Sequence, residues 1–164
     1  MLTHYSNMLH ATWLGWAVAG GVPWLWPLFA ILHSFGMALL IGCIGALDLR
    51  MLGIGKALPV GPIERLAPWG ILGFVITVIT GIGFYAGSPE QYQSFAFAAK
   101  MACIVLAGAN VMLSHLTGLA RRVESVGAGQ DAPIAAKLSA ITSLSLWIGV
   151  MFWGRMLTFF GNTF

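Results

Sequence analysis

Pro23–Arg50 reads PWLWPLFAILHSFGMALLIGCIGALDLR, and from Phe29 to Leu47 it carries no formal charge. Its strongest polar interruptions are His33 and Ser34. About 20 residues at ~1.5 Å rise cross a ~30 Å hydrocarbon core, so this stretch is long enough to span a bilayer. A histidine inside such a span is costly unless it faces protein, water or a ligand. The stretch therefore predicts a membrane protein and makes His33 the first residue to explain.

Composition agrees. Of 164 residues, 59% are hydrophobic and only 8% charged, against roughly 25% charged in a soluble domain. The net charge is +3, but the basic residues are spread over connecting segments. No Lys/Arg cluster is interleaved with aromatics, so nucleic acid is not an expected partner. Cys43 and Cys103 lie in apolar runs outside any CxxC pattern and read as packing residues. No Lys or Arg precedes Arg50, so no basic secretory leader is expected.

Working outward, the chain divides into residues 1–22 and 23–164. In the first part Leu2, Tyr5, Leu9, Trp13 and Trp16 recur at helical spacing, opposite Thr3, His4, Asn7 and His10. That pattern predicts an amphipathic helix lying in the membrane interface, broken by Gly20, Gly21 and Pro23. The second part predicts spans over about 26–47, 68–85, 95–118 and 138–160. The expected fold class is all-α, an integral membrane four-helix bundle with an N-terminal interfacial helix. Ser34, Ala38, Gly42 and Ala46 in the first span, and Gly73, Thr77 and Gly81 in the second, form small-residue stripes that let helix backbones approach in lipid. Asp48 and Arg50 are expected at the water interface.

Arg50, Lys56 and Arg65 flank the first inter-span connection and Arg121, Arg122 and Lys137 the third, whereas the second has no basic residue. The positive-inside rule puts the two basic connections in the cytoplasm. Both termini are then periplasmic, in a bacterial inner membrane. His33 falls in the outer half and His115 near the inner face, offset by roughly 18 Å at helical rise. The two are not expected to share a metal ion.

Lys100 and Arg155 fall at the depth of His33, with no acidic residue at that level. Two cations without a carboxylate suit haem propionates, lipid phosphate or a quinone carbonyl. An imidazole and a thioether are common haem ligands. His33 is accordingly the candidate iron ligand of a b-type haem (haem b). Met37, Met151 and Met156 are further candidates around it, with Lys100 and Arg155 as propionate partners and His10 a lesser metal ligand. In the blander reading His33 bonds a neighbouring helix while Lys100 and Arg155 snorkel. A copper site at His4, His10 and nearby methionines is a third reading. Walker, GxSxG and HExxH motifs are absent.

The segments ILHSFGMALLIG, DLRMLGIG, APWGILGFVITVITGIGFY, FAAKMACIVLAGAN and WIGVMFWGRML resemble an uncharacterised family of small bacterial four-span membrane proteins, over about Trp24 to Leu157. The matching motif positions are His33, Asp48, Arg50, Lys100 and Arg155. The chain is also distantly similar to the membrane domain of copper-resistance D-type proteins and to four-helix b-type cytochromes. The first resemblance implies a four-helix inner-membrane fold. The cytochrome resemblance implies haem at His33, although this chain lacks the paired histidines of the common dihaem pattern.

The expected role is a small membrane redox or anchor subunit holding a b-type haem or quinone in its outer half. It would pass electrons between a periplasmic redox partner and the quinone pool, within a larger membrane complex or homo-oligomer surrounded by lipid. The alternatives are a purely structural subunit and a copper-handling protein.

Overall fold

The computed structural model describes Met8 and residues 11–160. Four helices are long and apolar enough to cross a membrane, which makes the chain a multi-pass membrane protein. They are α2 (Leu25–Met51), α4 (Ala67–Gly87), α5 (Phe95–Leu116) and α7 (Ile134–Phe160). Before them come a short α1 (Trp13–Trp16) and a π-helical turn (Ala17–Gly21). Two helices that the sequence reading took as linker and loop, α3 (Val60–Glu64) and α6 (Leu119–Glu124), lie between the spans. A 3-10 turn (Pro89–Gln93) precedes α5. No strand occurs among the described residues.

Much of the predicted surface helix lies outside the described residues, including Leu2, Tyr5 and Leu9. Its remaining turn is capped by Thr12, whose hydroxyl accepts from the Gly15 amide at 3.2 Å. Gly20, at φ 125°, ends the π turn in a conformation that L side chains rarely adopt. Trp13 and Trp16 stay exposed while Ala17 and Val18 are buried, with Val18 packed on Gly87 of α4. The entry segment is thus tied to the bundle through its small apolar residues.

The spans pair as two antiparallel hairpins, α2 with α4 and α5 with α7, joined through α2 and α7. Pro27 and Pro68 sit in first helical turns, where no intrahelical N–H is lost. The tightest crossing is between α2 and α4. A Cβ on Gly73 would lie 2.6 Å from the Gly36 carbonyl oxygen and 2.7 Å from the Leu40 amide, and one on Gly36 would lie 2.8 Å from the Gly73 carbonyl. Without a hydrophobic force between helices in lipid, such backbone contact supplies much of the adhesion. Gly73 and Thr77 of the predicted second stripe lie at this crossing, and Gly81 lies against the His33 ring. The first stripe differs. Ser34, Ala38 and Gly42 are exposed and Ala46 is half-buried, and a Cβ on Gly42 would meet nothing within 4 Å. The α2 backbone approaches α4 at Gly36, because two registers of small residues run along this helix and packing selects one. Leu40, Ala107, Trp147 and Val150 form the core between α2, α5 and α7.

At the end carrying the basic connections, the structure corrects the placement of Asp48 and Arg50 in water. Both are inside α2 and buried, at 3% and 2% exposure. Arg50 turns inward because the connections around it supply backbone acceptors. Its Nε donates to the Leu58 carbonyl at 2.6 Å, and one Nη donates to the carbonyls of Gly127 at 3.0 Å and Gln130 at 3.3 Å. The same connections are stitched by Gly129 N–H to the Lys56 carbonyl at 2.7 Å and Val60 N–H to the Val126 carbonyl at 3.1 Å. Outside, Asp131 bridges Lys56 at 2.9 Å and Lys137 at 3.0 Å. Those two ammonium groups hold its carboxyl down at about 2. Asp48 takes a hydrogen bond from Ser143 of α7.

Two stability outcomes follow from these contacts. Gly73→Ala is expected to cost about 1–3 kcal/mol through forced backbone separation, while Gly42→Ala leaves thermal unfolding in detergent unchanged. Equal midpoints for the two variants would refute the assigned crossing. Arg50→Met strands buried carbonyls and is expected to cost about 2–5 kcal/mol. Arg50→Lys should recover only part of that loss, since an ammonium lacks the guanidinium fork.

Candidate functional site

An open pocket of about 510 Å³ lies between α2, α5 and α7, within the ~300–1,000 Å³ of typical small-molecule sites. It is lined by His33, Ser34, Met37, Ala38 and Ile41 of α2, Lys100 of α5, and Val150, Met151, Gly154 and Arg155 of α7. It sits at the end of the bundle away from the Arg50 cage. His33 lies two turns into α2, Lys100 lies near the start of α5, and Arg155 near the end of α7. Antiparallel pairing brings these three to one level.

His33 is fixed from the side opposite the α7 wall. Its Nδ1 lies 2.8 Å from Thr80 Oγ1 of α4. The Thr80 hydroxyl donates to the carbonyl of Ile76 at 2.7 Å, with that of Thr77 at 3.2 Å. The ring also stands edge-on to Phe84, with centroids 5.6 Å apart. The histidine is therefore held by α4 through a hydroxyl and an aromatic edge.

Lys100 has no hydrogen-bond or ion-pair partner for its ammonium among the described residues, and neither does the Arg155 guanidinium. Lys100 lies against Gly154, whose missing side chain leaves room for it: a Cβ there would stand 3.8 Å from Lys100 Nζ. The pocket wall is otherwise apolar or hydroxylic. Two cations and an imidazole lining one cavity, without a carboxylate in the lining, present a positive, partly desolvated surface.

Of the residues singled out from sequence, the pocket gathers His33, Met37, Lys100, Met151 and Arg155. Met156 is half-buried and outside this lining. His10 and His4 lie outside the described residues. His115 is exposed near the far end of α5, away from the pocket. Asn110 of α5 clasps α7 instead, donating to the Ser139 carbonyl at 3.0 Å and accepting from its hydroxyl at 3.1 Å. Among the described residues no group of three or more His, Cys, Asp or Glu could hold a metal ion. Thr80 was not anticipated, although a threonine in an apolar span opposite a histidine is the type of partner such a histidine needs. The chain matches no protein-family model, no curated protein and no solved structure.

An unpaired cation in a ligand-free pocket weakens the fold it serves. Lys100→Met is expected to leave the thermal midpoint of ligand-free protein unchanged or to raise it by about 1 kcal/mol equivalent. A loss of stability would mean that Lys100 is held by a partner within the protein.

Proposed function

We propose that the chain is a small electron-transfer subunit whose pocket takes a b-type haem or a quinone. The observation that carries this reading is the convergence of His33, Lys100 and Arg155 on one pocket at one level of the bundle. The residues fit a haem. His33 offers an imidazole already held by a second helix, and Met151 offers a thioether from the α7 wall. Met37 is one turn from His33 on α2, so the two cannot take opposite faces of a planar macrocycle without cutting into the helix. Lys100 and Arg155 would neutralise propionates. When bound, haem supplies a one-electron redox couple. The chain's own residues orient the ring, exclude water with Ile41 and Val150, and fix the acidic edge.

The basic connections belong on the cytoplasmic side of a bacterial inner membrane under the positive-inside rule, which puts the pocket in the outer half and the termini in the periplasm. A periplasmic redox partner would dock beside Trp13, Trp16, Trp24, Trp26 and Trp153. Electrons would pass between it and the quinone pool, with the chain embedded in lipid inside a larger membrane complex or a homo-oligomer. The copper-handling reading rests on His4 and His10, which lie outside the described residues.

The deciding measurement is a reduced-minus-oxidised visible spectrum of protein purified from its native membrane, beside His33→Ala. A Soret band and an α-band that vanish in the variant are the expected result. A featureless spectrum from protein whose lipid extract also lacks quinone would overturn the proposal in favour of a structural subunit.

A further inference from the structure

His33 lines the pocket, yet only one of its ring nitrogens is free to serve a ligand. Nδ1 lies 2.8 Å from Thr80 Oγ1. A hydroxyl has one proton and two lone pairs. The Thr80 proton is directed to a backbone carbonyl of its own helix, with the Ile76 oxygen at 2.7 Å and that of Thr77 at 3.2 Å. Carbonyl oxygens only accept, so the Thr80 oxygen is left to accept from the imidazole. With the hydroxyl proton so placed, the ring carries its own proton on Nδ1. In the neutral imidazole this leaves Nε2 without a proton.

We infer that Thr80 is a positioning residue that locks His33 in the Nδ1–H form, so that the pocket offers a bare Nε2 lone pair. This selects the chemical class of the ligand. A lone pair binds a Lewis-acidic metal centre such as the iron of a haem. It cannot itself donate a hydrogen bond to a quinone carbonyl, a task that in this pocket falls to Lys100 and Arg155. The inference rests on the electron-transfer reading of this pocket and assigns His33 to a haem iron rather than to a quinone carbonyl. The arrangement follows the general pattern in which a ligating histidine donates its other N–H to an oxygen that fixes tautomer and orientation. Here the oxygen is a neutral hydroxyl, itself anchored by its backbone bond. The Nδ1–H would thus be polarised only weakly, compared with a histidine backed by a carboxylate.

The test uses full-length protein in detergent or nanodiscs, labelled with 15N at histidine, before and after addition of hemin. Variants are Thr80→Val, which removes the hydroxyl at nearly constant volume, and Thr80→Ser, which restores it. The expected result is an Nδ1–H signature for His33 in the unloaded wild type and in Thr80→Ser. Thr80→Val should lose that signature and bind hemin about 10–100-fold more weakly, while eluting as the same monodisperse species. An Nε2–H signature in the wild type, or an Nδ1–H signature unchanged in Thr80→Val, would overturn the inference. Hemin ignored by the wild type despite the expected signature would instead overturn the haem reading of the site and leave the role of Thr80 supported. Should Thr80→Val fail to fold, the wild-type and Thr80→Ser spectra still decide the tautomer.

Discussion

Inside a bilayer a polar group has no water to fall back on, and the guanidinium of Arg50 answers that constraint by sending Nε and one Nη to backbone oxygens, while its other Nη is buried without a partner among the described residues. It reaches the carbonyls of Leu58, Gly127 and Gln130. These belong to the two connections at the same end of the bundle, one within the α2–α4 hairpin and one between α6 and α7. Elsewhere the two hairpins meet mainly where α2 faces α7. The cage therefore turns two hairpins into one body, and its hydrogen bonds gain strength from the low dielectric around them. Because one end is fixed in this way, the helices at the other end can stand apart around a pocket without the bundle coming undone.

The two ends divide the work. At the caged end, charge is consumed by structure: Arg50 by carbonyls, Lys56 and Lys137 by Asp131. At the pocket end, Lys100 and Arg155 find no acidic partner among the described residues. The contrast within one small chain argues that the pocket cations are kept for something other than folding. The adhesion that makes this tolerable comes from apposed backbone at Gly36 and Gly73, and from the Leu40, Ala107, Trp147 and Val150 core.

Much of the fold was legible because spans are written in long charge-free runs, and helix ends fix depth. Counting from those ends brought His33, Lys100 and Arg155 to one level, and the structure places them around one pocket. Rotation about each helix was less legible. Ser34, Ala38 and Gly42 repeat as regularly as a packing stripe should, yet the contact falls at Gly36, since spacing alone cannot say which of two small faces meets the neighbour. The interior position of Arg50 was hidden because its partners are carbonyls, which every residue has. Thr80 escaped notice for a related reason: its importance lies in where its single proton goes.

The Arg50 cage also sets an order of assembly. Two of its acceptors lie 77 and 80 residues farther along the chain. At about 5–20 residues per second of synthesis, they emerge roughly 4–16 s after Arg50 does. During that interval the guanidinium has the Leu58 and Lys56 carbonyls of its own connection but not those of Gly127 and Gln130. Synthesis of the connection before α7 then supplies the remaining acceptors. The last major connection to be synthesised is thus the one that closes the first.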